Sequence, residues 1–428
     1  MRPDTASGGL MADSTVAVAR RLRSLRTFES FKIPAYRWFF FGMIGQWASF
    51  SMENVARSYL IYDITGSAAK LAFVSLASAA PIIGLSLFGG AVADRLPKKR
   101  LIQISQVAMT IVSLGNAVAI NVGYLGPAHP GSWWILMVGA AIMGIIMAMA
   151  MPSRQAIVPE LVGREQIMNA VSLNTLGMSF FQLVGPALAG YVIDWFGYAA
   201  IFYVMAALNG SAIVFTSFLP SGHPLQARRS SVLRDVGSGL KYIASHRTIL
   251  FVLVMIVASV VLAMPYQMLM PIFAKDILQV GVSGQGTLMS VAGLGGLAAS
   301  LALASMPSRR RGLTLLGANA LMGIALVAFA FSALWPLSLA TMVFVGMGRT
   351  ANNTAGAAVL QSHTEPQFLG RVMSIMMMNW GLSGVGTFFA GMLAESISAP
   401  VAIGSLAALL VAITLAAGLF MPRLRKLD

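Results

Sequence analysis

Twelve apolar runs separated by short polar breaks make up most of the chain. They fall at about 37–62, 69–93, 101–122, 132–152, 169–194 and 197–219, then at about 248–273, 284–306, 312–333, 335–360, 371–395 and 399–421. A helix needs about 20 predominantly apolar residues to cross the hydrocarbon of a bilayer, and each run meets that length. The breaks are short and carry Gly or Pro, apart from one polar linker at about 220–247. The pattern predicts an all-α polytopic membrane protein with 12 transmembrane helices. It divides into a basic N-terminal segment (1–36), a first six-helix bundle (37–219), the linker (220–247), a second six-helix bundle (248–421) and a tail (422–428).

Composition agrees with this division. Of the 428 residues, 57% belong to the hydrophobic set and 10% are charged, against about a quarter charged in an average soluble domain. The net charge of +15 is spread through the breaks and not gathered on one soluble surface, so it does not point to nucleic acid. If the N-terminus is cytoplasmic, 25 of the 29 Lys and Arg lie on the cytoplasmic side, which is the bias that orients membrane proteins. The remaining four are Lys70 and Lys275 at outer ends, and Arg57 and Arg349 inside runs. Both termini are therefore expected in the cytoplasm, with the chain in the plasma (bacterial inner) membrane. Nothing at the N-terminus reads as a cleaved leader.

Two further features organise the chain. Leu233, Val236, Leu240 and Ile243 recur at helical spacing among Arg234, Lys241 and Arg247, and read as an amphipathic helix on the inner membrane surface. Leu22, Leu25, Phe28 and Phe31 among Arg21, Arg23 and Arg26 read the same way. An internal repeat relates the halves: a shift of 201 residues places Ala156 on Ala357, Val158 on Val359, Gly190 on Gly391 and Asp194 on Glu395. Such a repeat is the mark of a two-bundle transporter architecture.

Between the second and third runs stands Gly90-Ala-Val-Ala-Asp94-Arg95-Leu-Pro97-Lys98-Lys99-Arg100. The first helix ends in Met52-Glu-Asn-Val-Ala-Arg-Ser-Tyr-Leu-Ile-Tyr-Asp-Ile-Thr-Gly-Ser67. Pro152-Ser-Arg-Gln-Ala follows the fourth run, and Gly370-Arg-Val-Met-Ser374 opens the eleventh. In this order the motifs resemble the major facilitator superfamily over nearly the whole chain. They resemble most its drug:proton antiporter branch, which includes the enterobactin exporter and macrolide efflux proteins. The resemblance implies the major facilitator fold, two pseudo-symmetric bundles with a cavity between them. The fifth helix carries Gly177, Gly185-Pro186 and Gly190, similar to the antiporter motif of that branch, although Phe181 stands where the pattern has glycine. The resemblance also implies that helices 1 and 10 line the cavity and that helices 5 and 8 face each other across it.

Of 14 carboxylates only Glu53 lies well inside an apolar run, with Arg57 one turn further on at i+4. A charge at that depth is costly and faces a cavity or a partner. Two readings stand: Glu53 takes up and releases a coupling proton, or the two residues form a fixed salt bridge. Arg349, Asn352 and Asn353 share one face of the tenth helix and are candidates for substrate binding or for helix–helix bonding. At a rise of about 1.5 Å per residue, Arg349 lies about 18 Å and Glu53 about 24 Å from the inner end, so the two are expected to meet across the cavity. Two arginines against one glutamate favour an anionic or zwitterionic substrate. Gln267 and Asn379 (with Trp380) are further cavity candidates, and the many methionines suit hydrophobic ligands of varied shape.

The absence of cysteine excludes disulfides and thiolate metal sites. His129, His223, His246 and His363 lie outside or at the edges of runs, and no Walker-type phosphate loop, metal cluster or nucleophile–base pair occurs. The expectation is a secondary transporter and not an enzyme, without cofactor, drawing on a proton gradient, a monomer whose partners are the bilayer and a small-molecule substrate. Proton-coupled export of a small hydrophobic or amphiphilic molecule such as a drug, antibiotic or siderophore leads. Uptake, facilitated diffusion of a metabolite and lysolipid flipping remain as alternatives on the same fold, and a transport-incompetent scaffold or sensor as one outside it. Asp94 is expected to latch onto the start of the eleventh helix at the inner face, with Arg95, Lys98, Lys99 and Arg100 among headgroups.

Overall fold

In the computed structural model, residues 26–95, 97–220, 232–305 and 310–421 are described; the side chains of 26–27, 86–95, 164, 232–236, 377 and 380 lie outside the description. The spans are α1 (Pro34–Thr65), α2 (Ala68–Arg95), α3 (Lys98–Asn121) and α4 (Trp134–Leu161). A helical run Ile167–Ser217 follows, broken at Gly197 into α5 (167–196) and α6 (198–217). After the linker helix Val232–Ser245 come α7 (Arg247–Leu262, Tyr266–Ile272 and a π-turn Phe273–Ile277), α8 (Gly281–Ser305) and α9 (Arg311–Ala330). The chain ends with α10 (Trp335–His363), α11 (Pro366–Met377 and Asn379–Ser396) and α12 (Ala399–Phe420). These are the 12 helices that the apolar pattern predicts. Gly197 has φ +79°, a left-handed turn open to glycine, and there the chain reverses between α5 and α6.

Nine helical segments among the described residues are long and apolar enough to cross a membrane, and one of them, Ile167–Ser217, holds two spans. The two spans outside that set are α1 and α10, which carry Glu53, Arg57 and Arg349. Large side chains such as Ile111, Trp195 and Leu415 remain exposed on the outer surface of the bundle, as lipid-facing residues do.

One end of the bundle holds Lys98–Arg100, the linker helix and the start of α11; we call it the base-rich end, and its opposite the far end. Two helix pairs join the halves: α5 with α8, and α2 with α11. Both pairs meet through small residues, which let backbones approach where lipid supplies no hydrophobic drive between helices. A Cβ on Gly190 would stand 2.6 Å from the Val282 carbonyl oxygen, and one on Gly286 would overlap the Pro186 backbone. On the other seam a Cβ on Gly391 would meet Ala72 at 2.6 Å.

The α5–α8 seam does not run the full depth. Eighteen residues are five helical turns, so Met168 shares a face with Pro186, and Ser172 shares one with Gly190. Pro186 and Gly190 are buried against α8, yet Met168 is 78% exposed and Ser172 is exposed. On α8, Ser300 and Ala304 stand five turns beyond Val282 and Gly286 and are exposed as well. The two helices touch in the far half and part toward the base-rich end.

Two expectations about the base-rich end change. Lys98 is buried and pairs with Glu160 at the end of α4, and Lys99 donates to the carbonyl of Ser217 at 2.7 Å and to that of Leu219. These bases close the end of α6 and bind α3 to α4 and are not free for headgroups; Arg100 is exposed, and Arg95 lies outside the described side chains. A cation at the last carbonyls of a helix is favourable because those acceptors have no partner within the helix. The linker helix, expected on the membrane surface, is docked: Tyr242 stacks on Phe368 at 4.1 Å, its hydroxyl accepts from the Glu365 N–H at 3.1 Å, and Ile243 is buried. Leu240 faces out. Leu233, Arg234 and Val236, like Leu22 and Leu25, fall outside the described side chains, while Phe31 packs on Tyr36 and Phe40.

If α5 must approach α8 backbone to backbone, Gly190→Val forces the seam apart. Overpacking of this kind costs about 1–3 kcal/mol. Thermal unfolding of the purified protein should show Gly190→Val melting well below the parent, and Gly210→Ala, where nothing lies within 4 Å of the added Cβ, melting with it.

Candidate functional site

α1 carries a run of polar side chains through the N-terminal half. Ser49 accepts from the Asn209 amide of α6 at 2.6 Å, and Gln46 is buried one turn earlier. Glu53 and Arg57 follow, in contact at 3.2 Å between Oε1 and Nη1, both buried. Further on, Ser58 accepts from the Gln285 amide of α8 at 3.0 Å, a buried bond between the two halves.

The rotation of α1 decides what this pair faces. Ser49 looks at α6, and Phe50 packs with the methionine-rich cluster of α3 and α4 (Met109, Met143 and Ile146). Glu53 is one turn from Ser49 and Arg57 two turns from Phe50, so the pair lies between α6 and the α3–α4 cluster, inside its own half. Ser51, against Gly185 of α5, and Ser58, against α8, mark the face turned toward the other half. The expected meeting of Glu53 with Arg349 across the cavity is therefore corrected: Arg57 takes the carboxylate, and Arg349 has no hydrogen bond or ion pair among the described residues.

The candidates on α10 separate. Asn352 is buried and donates to the Asn319 side chain of α9, so it is helix–helix bonding and not a cavity group. Gly346 and Thr350 meet α8, Gly348 meets α9, and Gly356 meets Ile256 of α7. Arg349 and Asn353 fall in the sector between the α7 and α8 contacts. α1 touches both α7 and α8, so that sector faces the N-terminal half. Arg349 is half-buried and Asn353 exposed. Gln267 is half-buried with a long 3.4 Å bond to the Tyr266 hydroxyl, and Asn379 is buried where α11 resumes after its break. Gly177 and Gly185 of the α5 motif admit Trp47 and Ser51 of α1, while Pro186 and Gly190 admit α8; the motif seats α5 between two neighbours. Gly90, Asp94 and Arg95 lie outside the residues described at side-chain level.

The far end holds groups that the sequence did not single out. Lys275 pairs with Asp63, the Tyr62 hydroxyl donates to Asp276, and Tyr198 donates to Asp63 at 3.2 Å. Glu395, at the end of α11, accepts from the Ser67 hydroxyl at 3.0 and 3.1 Å and from the Ala69 N–H at 3.1 Å. A carboxylate thus sits on the Ala69 N–H in the first turn of α2, where both the donor and the helix dipole favour negative charge. Together these contacts clasp α1 and α2 to α7 and α11. A pocket of about 400 Å³ opens beside the clasp, lined by Tyr62, Ile272, Ala394, Glu395 and Pro400. Its signal in the sequence was the coincidence of acids and a lysine at the ends of α1, α7 and α11.

The sequence model of a family described as the Major Facilitator Superfamily matches residues 39–385 and, in a second alignment, 255–428. The chain is 23% identical over 359 residues to the staphyloferrin A transporter of Staphylococcus aureus, covering 82% of this chain and 86% of the relative. It is 27% identical over 396 residues to the multidrug efflux pump Tap of Mycolicibacterium fortuitum, covering 87% and 92%. Among solved structures, that of the nucleoside transporter NupG superposes with a TM-score of 0.70 at 15% identity, over 90% of this chain and 99% of that one.

If the clasp holds the far end shut, Asp63→Asn with Glu395→Gln should let it open. Loss of a charge-assisted contact at each site is expected to cost the closed state about 1–2 kcal/mol, a roughly five- to thirty-fold change in population. The chain has no native cysteine, so labels on Val122→Cys and Phe331→Cys, both exposed at the far end, report the opening cleanly. A label-to-label distance unchanged by the double substitution would show the clasp to be idle.

Proposed function

The chain belongs to the major facilitator superfamily, and from that premise we propose that it is a proton-coupled exporter of a small hydrophobic or amphiphilic molecule, working by alternating access. The observation that carries this reading is the asymmetry of the α5–α8 seam, closed at Gly190 and Gly286 and parted at Met168 and Ser300. A bundle shut at one end and splayed at the other is one of the two states that alternating access requires. The positive-inside bias supports a cytoplasmic base-rich end, hence a cytoplasmic opening, in the plasma (bacterial inner) membrane. The likeness to an efflux pump supports export. The reading needs no cofactor and treats the chain as a monomer.

Glu53 supplies the coupling step in this reading. It is the one carboxylate well inside a span, and it is held by Arg57. Proton uptake by Glu53 breaks the ion pair and leaves a buried arginine without its partner, which is strongly unfavourable in a dry interior. Arg57 must then find new acceptors or the half must shift, and either response links protonation to conformation.

The same pair supports a second reading. Because Arg57 already neutralises Glu53 inside its own half, the bond could stay intact throughout the cycle, and the chain would then be a facilitator or a lysolipid flippase. Reconstituted vesicles with an imposed pH gradient separate the two. Glu53→Gln should abolish gradient-driven accumulation while leaving exchange down a substrate gradient within about threefold of the parent, since uncoupling removes the driving force and not the path. Intact gradient-driven transport in Glu53→Gln would leave facilitation as the surviving reading.

A further inference from the structure

Arg349 is the midpoint of the 29-residue α10. A charge at the centre of a span is among the most costly placements in a membrane protein and is kept where it has a partner or a water-filled space. Arg57, likewise inside a span, has Glu53, and Arg154 inside α4 has Ser105. Arg349 has neither a hydrogen bond nor an ion pair among the described residues, although it is half-buried.

Among the described residues no carboxylate pairs with it. Glu53 is engaged inside the other half. Asp63, Asp194, Asp276 and Glu395 belong to the far end, and Glu29, Glu160, Glu165 and Glu365 to the base-rich end. By sequence, Asp94 closes α2 at the base-rich end and Asp235 lies in the linker helix. At about 1.5 Å per residue, half of α10 is about 21 Å, beyond the reach of an arginine side chain to either end.

Its direction is fixed by its neighbours. Gly346 brings α10 against the backbone of Ala292 in α8, and Gly348 brings it against Ala318 and Met322 in α9. Both flanks are filled by close backbone contact, so a long side chain at position 349 has its room in the sector toward the N-terminal half. Asn353, one turn further on and exposed, extends the same polar strip toward the parted end of the bundle.

We propose that Arg349 is the anchor for an acidic group, a carboxylate, sulfonate or phosphate, on the amphiphile that the protein carries. This rests on the transport reading above and narrows its substrate to anionic amphiphiles. A guanidinium is suited to the task because its planar fork binds the two oxygens of such a group together and keeps its charge when dehydrated. Asn353 offers an amide one turn away on the same strip.

The test uses the purified full-length protein and two fluorescent amphiphiles that differ by one acidic group, 8-anilinonaphthalene-1-sulfonate and N-phenyl-1-naphthylamine. Equilibrium binding to the parent should favour the sulfonate. Arg349→Gln should weaken sulfonate binding about tenfold, the loss expected for one charge-assisted contact, and change the neutral ligand by less than about threefold. Arg349→Lys should restore part of the difference, and the ligand-free melting temperature of Arg349→Gln should stay near that of the parent. Equal binding of both probes by the parent, binding of neither, or a sulfonate preference that survives Arg349→Gln would overturn the proposal. So would a lowered melting temperature with unchanged selectivity, which would make Arg349 structural. The readout is binding alone, so it fails or stands independently of gradient-driven transport in Glu53→Gln.

Discussion

The arrangement of the whole molecule depends on the clasp at its far end. Asp63 with Lys275, Tyr62 with Asp276, and Glu395 on the Ser67 hydroxyl and the Ala69 N–H at the start of α2 tie two helices of one half to two of the other. With those ends pinned, the glycine seam of α5–α8 is held at van der Waals contact in the far half, and those two helices diverge below it. Charge does at the rim what small residues do within the hydrocarbon. The division follows from the medium, because exposed polar contacts are weakened by water whereas close backbone packing needs none.

Each half is stiffened by its own buried polar bonds. Asn209 binds Ser49, Gln106 binds Thr216, and Arg154 binds Ser105 in the N-terminal half. In the C-terminal half Asn352 binds Asn319. Polar side chains in a span are satisfied by a neighbouring helix because hydrocarbon offers nothing else. Most of these bonds stay within a half; Ser58 with Gln285 and the Ala187 N–H with Ser290 cross between halves, near the seam itself. The distribution suits two rigid bodies that move about a narrow contact zone.

The spans were legible because bilayer thickness sets a length that an apolar run either meets or does not. The interruptions of α7 at 263–265 and of α11 at Met378 were not, because a break in one turn hardly alters hydropathy. Glu53 and Arg57 were readable as a pair from their spacing, since i and i+4 are neighbours on any helix. Which way the pair faces was not readable: it depends on how α1 is rotated, and that is set by Gly45 against α6 and Ser51 against Gly185. The same ambiguity let Asn352 and Arg349 look alike, although one turns to α9 and the other to the opposite half. Lys98 and Lys99 look like headgroup bases in sequence, because the acid and carbonyls that hold them lie some 60 to 120 positions away.

The antiparallel α2–α11 pair shows why an acid at the end of a helix finds a site on its partner. α2 runs from the far end to the base-rich end, and α11 runs back. In any antiparallel pair the C-terminal end of each helix stands beside the N-terminal end of its partner, so an acid placed last on either helix meets free N–H donors and the positive end of a dipole. Glu395 occupies that position on α11 and uses it. Asp94 occupies it in the sequence of α2, where α11 begins. By sequence the two acids stand at opposite ends of one antiparallel pair, and each end offers an acid the same kind of site.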